Sequence, residues 1–186
     1  MITTKLTGEM LVLLILMSLL TLFYCFPFNS VNKNLRKTPG LKIFIVATVW
    51  SLLIVVFPII NFTEKLDVSF LIFFVQVLIF VIATIFPFEI RDLNSDCKQL
   101  RTIPQIIGVK NTKVLGFCLL LIFMILDYIQ YLILNFISFK SILINAGICL
   151  TTLALILKSK ENQSIYFSSF WVESLPILWL LLYIVL

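Results

Sequence analysis

The sequence predicts an all-α fold, a polytopic membrane bundle of about six transmembrane helices, on three observations. Of its 186 residues, 61% are hydrophobic and 12% charged, against roughly 45–50% apolar and 25% charged in soluble domains; the mean hydropathy is +1.14. Several apolar runs reach the roughly 20 residues that a helix needs to cross a hydrocarbon core of about 30 Å. The two-residue alternation of barrel strands is absent from these runs. Helices, which close their backbone hydrogen bonds internally, are then the remaining way to cross a bilayer.

Six spans follow in order: residues 10–28, 43–61, 68–88, 114–132, 139–157 and 166–186. The first extends through its apolar run without a small-residue cleavage site, so it reads as a span rather than a cleaved signal. Pro27, Pro58 and Pro87 sit near span ends, where a missing backbone donor is easiest to accommodate. The longest loop is about 25 residues, too short to fold alone, so the whole chain reads as a single transmembrane domain.

Charge sets the expected orientation. Eleven of the 14 Lys and Arg residues fall in three loops, 29–42, 89–113 and 158–165, and only Lys5, Lys65 and Lys140 lie on the other side. The positive-inside rule places those three loops in the cytoplasm and both termini outside, with the chain in the inner cell membrane. The net charge of +5 is thereby accounted for by topology, and the expected surroundings are the lipid bilayer, with no nucleic-acid partner.

The absence of histidine excludes imidazole ligation, a histidine base and any Ser/His or Cys/His nucleophile pair. Cys25, Cys97, Cys118 and Cys149 are isolated, with no paired spacing, and are expected as free thiols. Any metal must then be hard and oxygen-bound, such as magnesium.

Residues 89–113 form the longest polar interruption, with three of the nine acids and five of the 14 basic residues. Read as a helical extension of the third span, Glu89, Asp92 and Asp96 stand at i, i+3 and i+7 on one stripe. Like charges at that spacing disfavour the helix by a few tenths of a kcal/mol per pair. Either Arg91, Lys98 and Arg101 fold back on the carboxylates, the commoner outcome, or a divalent cation sits between them. Gly108 permits a turn, and Thr112 is a candidate start for the next helix.

The first loop carries Lys33, Arg36 and Lys37 with no acid, which suits a phosphorylated ligand or anionic headgroups. Asp127 and Glu173 fall within spans; charge at that depth is costly, and helix-to-helix hydrogen bonds are expected for both ahead of the alternative, a substrate role. The 18 phenylalanines either line a cavity suited to a carbocation or face lipid, as they more often do in membrane proteins.

The run Arg91-Asp92-Leu93-Asn94-Ser95-Asp96, then Lys98, Arg101-Thr102-Ile103-Pro104 and Gly108, resembles the second aspartate motif of the UbiA family of intramembrane prenyltransferases, RD(I/L)xxD followed by (K/R)T(L/I)P and a Gly. The match covers about 18 residues. The first loop also resembles that family's basic cytoplasmic loop between its fourth and fifth helices. The resemblance implies the C-terminal two-thirds of a nine-helix fold and magnesium-dependent transfer of a prenyl group from a prenyl diphosphate to a lipophilic or aromatic acceptor. It assigns Asp92 and Asp96 to the metal and Arg91, Lys98 and Arg101 to the diphosphate, with Lys33, Arg36 and Lys37 as weaker candidates for the same anion.

The family's first motif, NDxxDxxxD, is not in this sequence, Gln99 and Leu100 stand where relatives often carry a Gly, and the spacing from Asp96 to Thr102 is a residue short. The expectation is therefore a family member incomplete at its N-terminus and inactive as this chain alone, needing three further helices or a partner chain. A start outside the membrane, which the charge count gives independently, is what removal of three helices would produce. The alternative is a non-catalytic multi-pass protein, whether a degenerate relative, an accessory subunit or a transporter-like bundle.

Overall fold

The computed structural model describes residues 7–25, 40–61, 67–96 and 101–185, which are mostly helical with no strand among them. The helices are α1 (Gly8–Cys25), α2 (Leu41–Ser51) continued by a π-helical turn (Leu52–Val56) into α3 (Phe57–Asn61), α4 (Val68–Arg91), α5 (Ile103–Leu132), α6 (Phe139–Lys158) and, after a second π-helical stretch (Phe167–Val172), α7 (Leu175–Val185). Five stretches are long and apolar enough to cross a membrane: Leu41–Ile60, Val68–Asn94, Ile103–Leu132, Phe139–Lys158 and Phe167–Val185. With the apolar α1 they make the polytopic all-helical bundle that the composition predicts.

Helix starts carry side-chain acceptors for amides that have no partner within the helix. The Thr7 hydroxyl accepts from Met10 N at 3.4 Å, the Asp67 carboxylate from Val68 N at 2.7 Å, and the Ser138 hydroxyl from Ser141 N at 3.2 Å. At the end of α5, Phe136 N reaches back to the Gln130 carbonyl at 3.0 Å, with Asn135 at φ 49, the left-handed closure that asparagine tolerates better than most residues.

Each of the two π-helical stretches lies just before a proline. Proline cannot donate to the carbonyl four residues earlier and its ring crowds it. For Pro58 that carbonyl is on Ile54 and for Pro176 on Val172, and both residues lie in π-helical turns. The wider turn closes through longer-range bonds instead, Phe57 N to Leu52 O and Glu173 N to Ser168 O at 3.4 Å.

The chain divides into two compact units: Met1–Val81 with Gln99–Arg101, and Ile82–Lys98 with Thr102–Leu186. In the first, α1 packs against α2 and α3, and Val55, Ile59 and Val77 form a buried cluster lined by Phe70, Phe73, Phe74 and Val81. The second unit is built on the antiparallel pair α5 and α6. Gly116 lies where this pair meets the end of α4: a Cβ there would stand 3.1 Å from Ile156 Cδ1 and 3.2 Å from Phe86 Cδ2. Further along the pair, Asn145 Nδ2 donates to the buried Asp127 carboxylate at 2.9 Å. Asn145 Oδ1 in turn accepts from Trp179 Nε1 at 2.9 Å and Tyr183 OH at 3.4 Å. One asparagine thus ties α5, α6 and α7 together.

This is the helix-to-helix bonding expected of Asp127. Glu173 differs: it is exposed and makes no such bond among the described residues. It follows the buried Val172, and the next residue along a helix points about 100° away. Of the cysteines with described side chains, Cys118 is exposed and Cys149 buried, both free thiols.

Candidate functional site

The end of α4 carries the acidic stretch, and the helix does not continue through it. After Arg91 the chain tightens into a 3-10 turn, Asp92–Asn94. The Asp92 carbonyl accepts from Ser95 N at 3.1 Å and Asp96 N at 2.7 Å, and from Ser95 Oγ at 3.1 Å. Serine offers the backbone a local partner in place of the next helical turn. The single helical stripe of Glu89, Asp92 and Asp96 is therefore not formed: Glu89 is on the helix, Asp92 opens the tight turn and Asp96 lies beyond it.

Each acid has a different surrounding. Glu89 is only 3% exposed, and its Oε2 accepts from Ile103 N at 3.3 Å, which places a carboxylate at the positive end of α5. The Asp92 carboxylate meets the Arg91 guanidinium with both oxygens, Nε to Oδ1 at 2.6 Å and Nη2 to Oδ2 at 3.0 Å. Asp96 offers its backbone carbonyl to Gln105 Nε2 at 3.3 Å. The same Gln105 accepts from Thr102 N at 3.1 Å through Oε1, so one side chain bonds to both Asp96 and Thr102.

The α5 start is earlier than the sequence indicates. It begins at Ile103, with Thr102 at the cap and Pro104 in the first turn, and breaks at Gly108, where Thr112 Oγ1 bonds back to the Gly108 carbonyl at 2.9 Å. The expected turn at Gly108 is present, with φ 81 and ψ 159, a conformation essentially confined to glycine. Since a Cβ at Gly108 would meet nothing within 4 Å, Gly108→Ala is expected to cost about 1–3 kcal/mol through backbone strain alone. Thermal unfolding in detergent reads it.

Arg91 is held from three directions. Besides Asp92, its Nη1 donates to Ser168 Oγ at 2.8 Å, and its Cζ stands 5.6 Å from the centre of the Phe88 ring. The segment before α7 adds two more ties to the same place: Gln163 Nε2 donates to the Pro87 carbonyl at 2.8 Å, and Asn94 Nδ2 to Glu161 Oε2 at 3.3 Å. Ser168, Gln163 and Glu161 escape a sequence reading because each resembles an ordinary polar residue of a loop or helix start. A two-residue serine step inside an apolar span, Ser168-Ser169, is the one available signal.

Of the residues singled out by sequence, Arg91, Asp92 and Asp96 are gathered at the α4 end. Arg101 is exposed and left-handed, at φ 44. Lys98 and the first-loop cations Lys33, Arg36 and Lys37 lie outside the described residues. Among the described residues no three His, Cys, Asp or Glu side chains gather closely enough to hold a metal ion. With both Asp92 oxygens on Arg91, these residues as arranged do not fit magnesium, which takes about six oxygen ligands in near-octahedral geometry. No family model matches the chain, and no curated protein or solved structure is significantly similar to it.

Proposed function

We propose that the α4 end and the segment through Gly108 form one half of an intramembrane diphosphate site of the UbiA type. It would serve transfer of a prenyl group from a prenyl diphosphate to a lipophilic or aromatic acceptor. The reading is supported by how the motif residues are used. Arg91 is fixed by Asp92 and Ser168, Thr102 caps α5, Pro104 starts it and Gly108 breaks it. The described motif residues thus hold defined positions, with the Arg91 guanidinium fixed at the α4 end by Asp92 and Ser168.

In this reading Arg91, Lys98 and Arg101 neutralise the departing diphosphate, and Asp92 and Asp96 contribute to a magnesium site. Metal binding at Asp92 requires its pair with Arg91 to open, and further carboxylates must come from outside this sequence, which has no NDxxDxxxD motif. No catalytic step is therefore assigned to the described residues alone.

The Arg91–Asp92 pair itself favours a second reading, a non-catalytic multi-pass protein in which the pair only ties the helix end to the segment before α7. Binding of a prenyl thiodiphosphate to the purified chain separates the two. Under the first reading Asp92→Asn and Asp96→Ala each weaken magnesium-dependent binding about tenfold, equivalent to ~1.4 kcal/mol. Superimposable isotherms for parent and variants would leave the structural pair as the whole explanation. The 186-residue chain alone is expected not to turn over a prenyl diphosphate, and turnover would refute the need for a second acidic motif.

A further inference from the structure

The end of the α5–α6 pair nearest Gly108 carries a second concentration of charge, and it is predominantly basic. Lys113 Nζ donates to the Leu157 carbonyl at 2.7 Å, so its ammonium is held over the last turn of α6, the negative end of that helix. Lys158 ends α6 and Lys160 lies two residues beyond it, both exposed, and Lys110, also exposed, precedes Lys113 by three residues on α5, which puts the two on one face.

None of the four lysines has a carboxylate within ion-pair reach among the described residues, where the one ion pair is Arg91–Asp92. Glu161, the acid nearest in sequence, accepts instead from Asn94. An ammonium has three hydrogens to give, and Lys113 uses one of them on Leu157. The charges are thus concentrated and available to an anion.

Beside these lysines the two helices present exposed apolar residues. Val114, Phe117 and Leu121 are 53%, 43% and 46% exposed along one stripe of α5, and Leu150 and Leu157 are 67% and 56% exposed on α6. We infer that this end of the α5–α6 pair binds the headgroup of an anionic phospholipid, the phosphate on Lys113, Lys158 and Lys160 and the acyl chains along the adjoining apolar stripes. A free phosphate would match the lysines but make no use of the stripes. The inference is independent of any transferase activity.

Native mass spectrometry of the full chain, loaded from micelles holding equal phosphatidylglycerol and phosphatidylcholine, tests it. The parent is expected to retain phosphatidylglycerol preferentially. The Lys158→Gln/Lys160→Gln double variant should lose retention by about fivefold per lysine, while Lys140→Gln, at the opposite end of α6, should change nothing. The side chains of Lys158 and Lys160 make no hydrogen bonds among the described residues, so the fold does not depend on them. Lys113→Gln should show the same loss. Equal retention of the two lipids by the parent, or equal phosphatidylglycerol retention by parent and double variant, would overturn the inference. So would displacement of the lipid by inorganic phosphate at low millimolar concentration.

Discussion

Replacing Asn145 by leucine is expected to lower the unfolding free energy of the purified protein by about 2–3 kcal/mol, on measured values averaging ~0.6 and reaching ~1.7 kcal/mol per hydrogen bond between membrane helices. The effect is large because three bonds end on this one amide: to Asp127 at 2.9 Å, from Trp179 at 2.9 Å and from Tyr183 at 3.4 Å. Leucine has similar volume, so the loss would come from the polar groups rather than a cavity. Trp179→Phe removes one donor and should cost about a third as much. Denaturant titration in mixed micelles reads both, and a change in the leucine variant within about 0.5 kcal/mol, the range of ordinary surface substitutions, would show that the amide does not hold the three helices together.

Gly116→Leu is expected to prevent native packing of the α5–α6 pair, and Gly116→Ala to cost about 1–3 kcal/mol by overpacking. Even a single added carbon would stand 3.1 Å and 3.3 Å from two atoms of Ile156 and 3.2 Å from Phe86. Both neighbours are fully buried, so neither can move aside freely. A second substitution supplies the control: Ile156→Val removes the nearer methyl and should recover part of the loss caused by Gly116→Ala. If the double variant is less stable by the sum of the two single losses, the contact is not the cause.

The fold was legible because the bilayer imposes a demand that length and apolarity answer directly. The π-helical turns before Pro58 and Pro176 were not legible, since Pro87 lies inside α4 without one. The start of α5 was less legible. Thr112 has the composition of a cap, yet the helix begins at Ile103, where Gln105 bonds back to the Thr102 amide, Pro104 sits in the first turn and Glu89, 14 residues earlier, accepts from Ile103 N. Thr102, Pro104 and Gln105 are a local start signal that outranks Thr112, whereas the contact from Glu89 is tertiary and has no local sign.

In the candidate site, the pairing of Arg91 with Asp92 was one of two outcomes the charges allowed, whereas the bond from Arg91 to Ser168, 77 residues away, follows only from how the chain packs. The depth of Asp127 predicted that it needs a partner, and Asn145, the one carboxamide in residues 139–157, carried the matching signal. The expected acidic stripe failed for a local reason: Ser95 competes for the Asp92 carbonyl and ends the helix before Asp96.

The central claim, that the α4 end is half of a metal-dependent diphosphate site, is tested most directly by a magnesium titration of prenyl thiodiphosphate binding to the parent chain. Measurable affinity that rises with magnesium is expected; Asp92 would have to leave Arg91 to help hold the metal, and the guanidinium would then be free for the diphosphate. Binding that is absent, or identical with magnesium and with chelator, would contradict it.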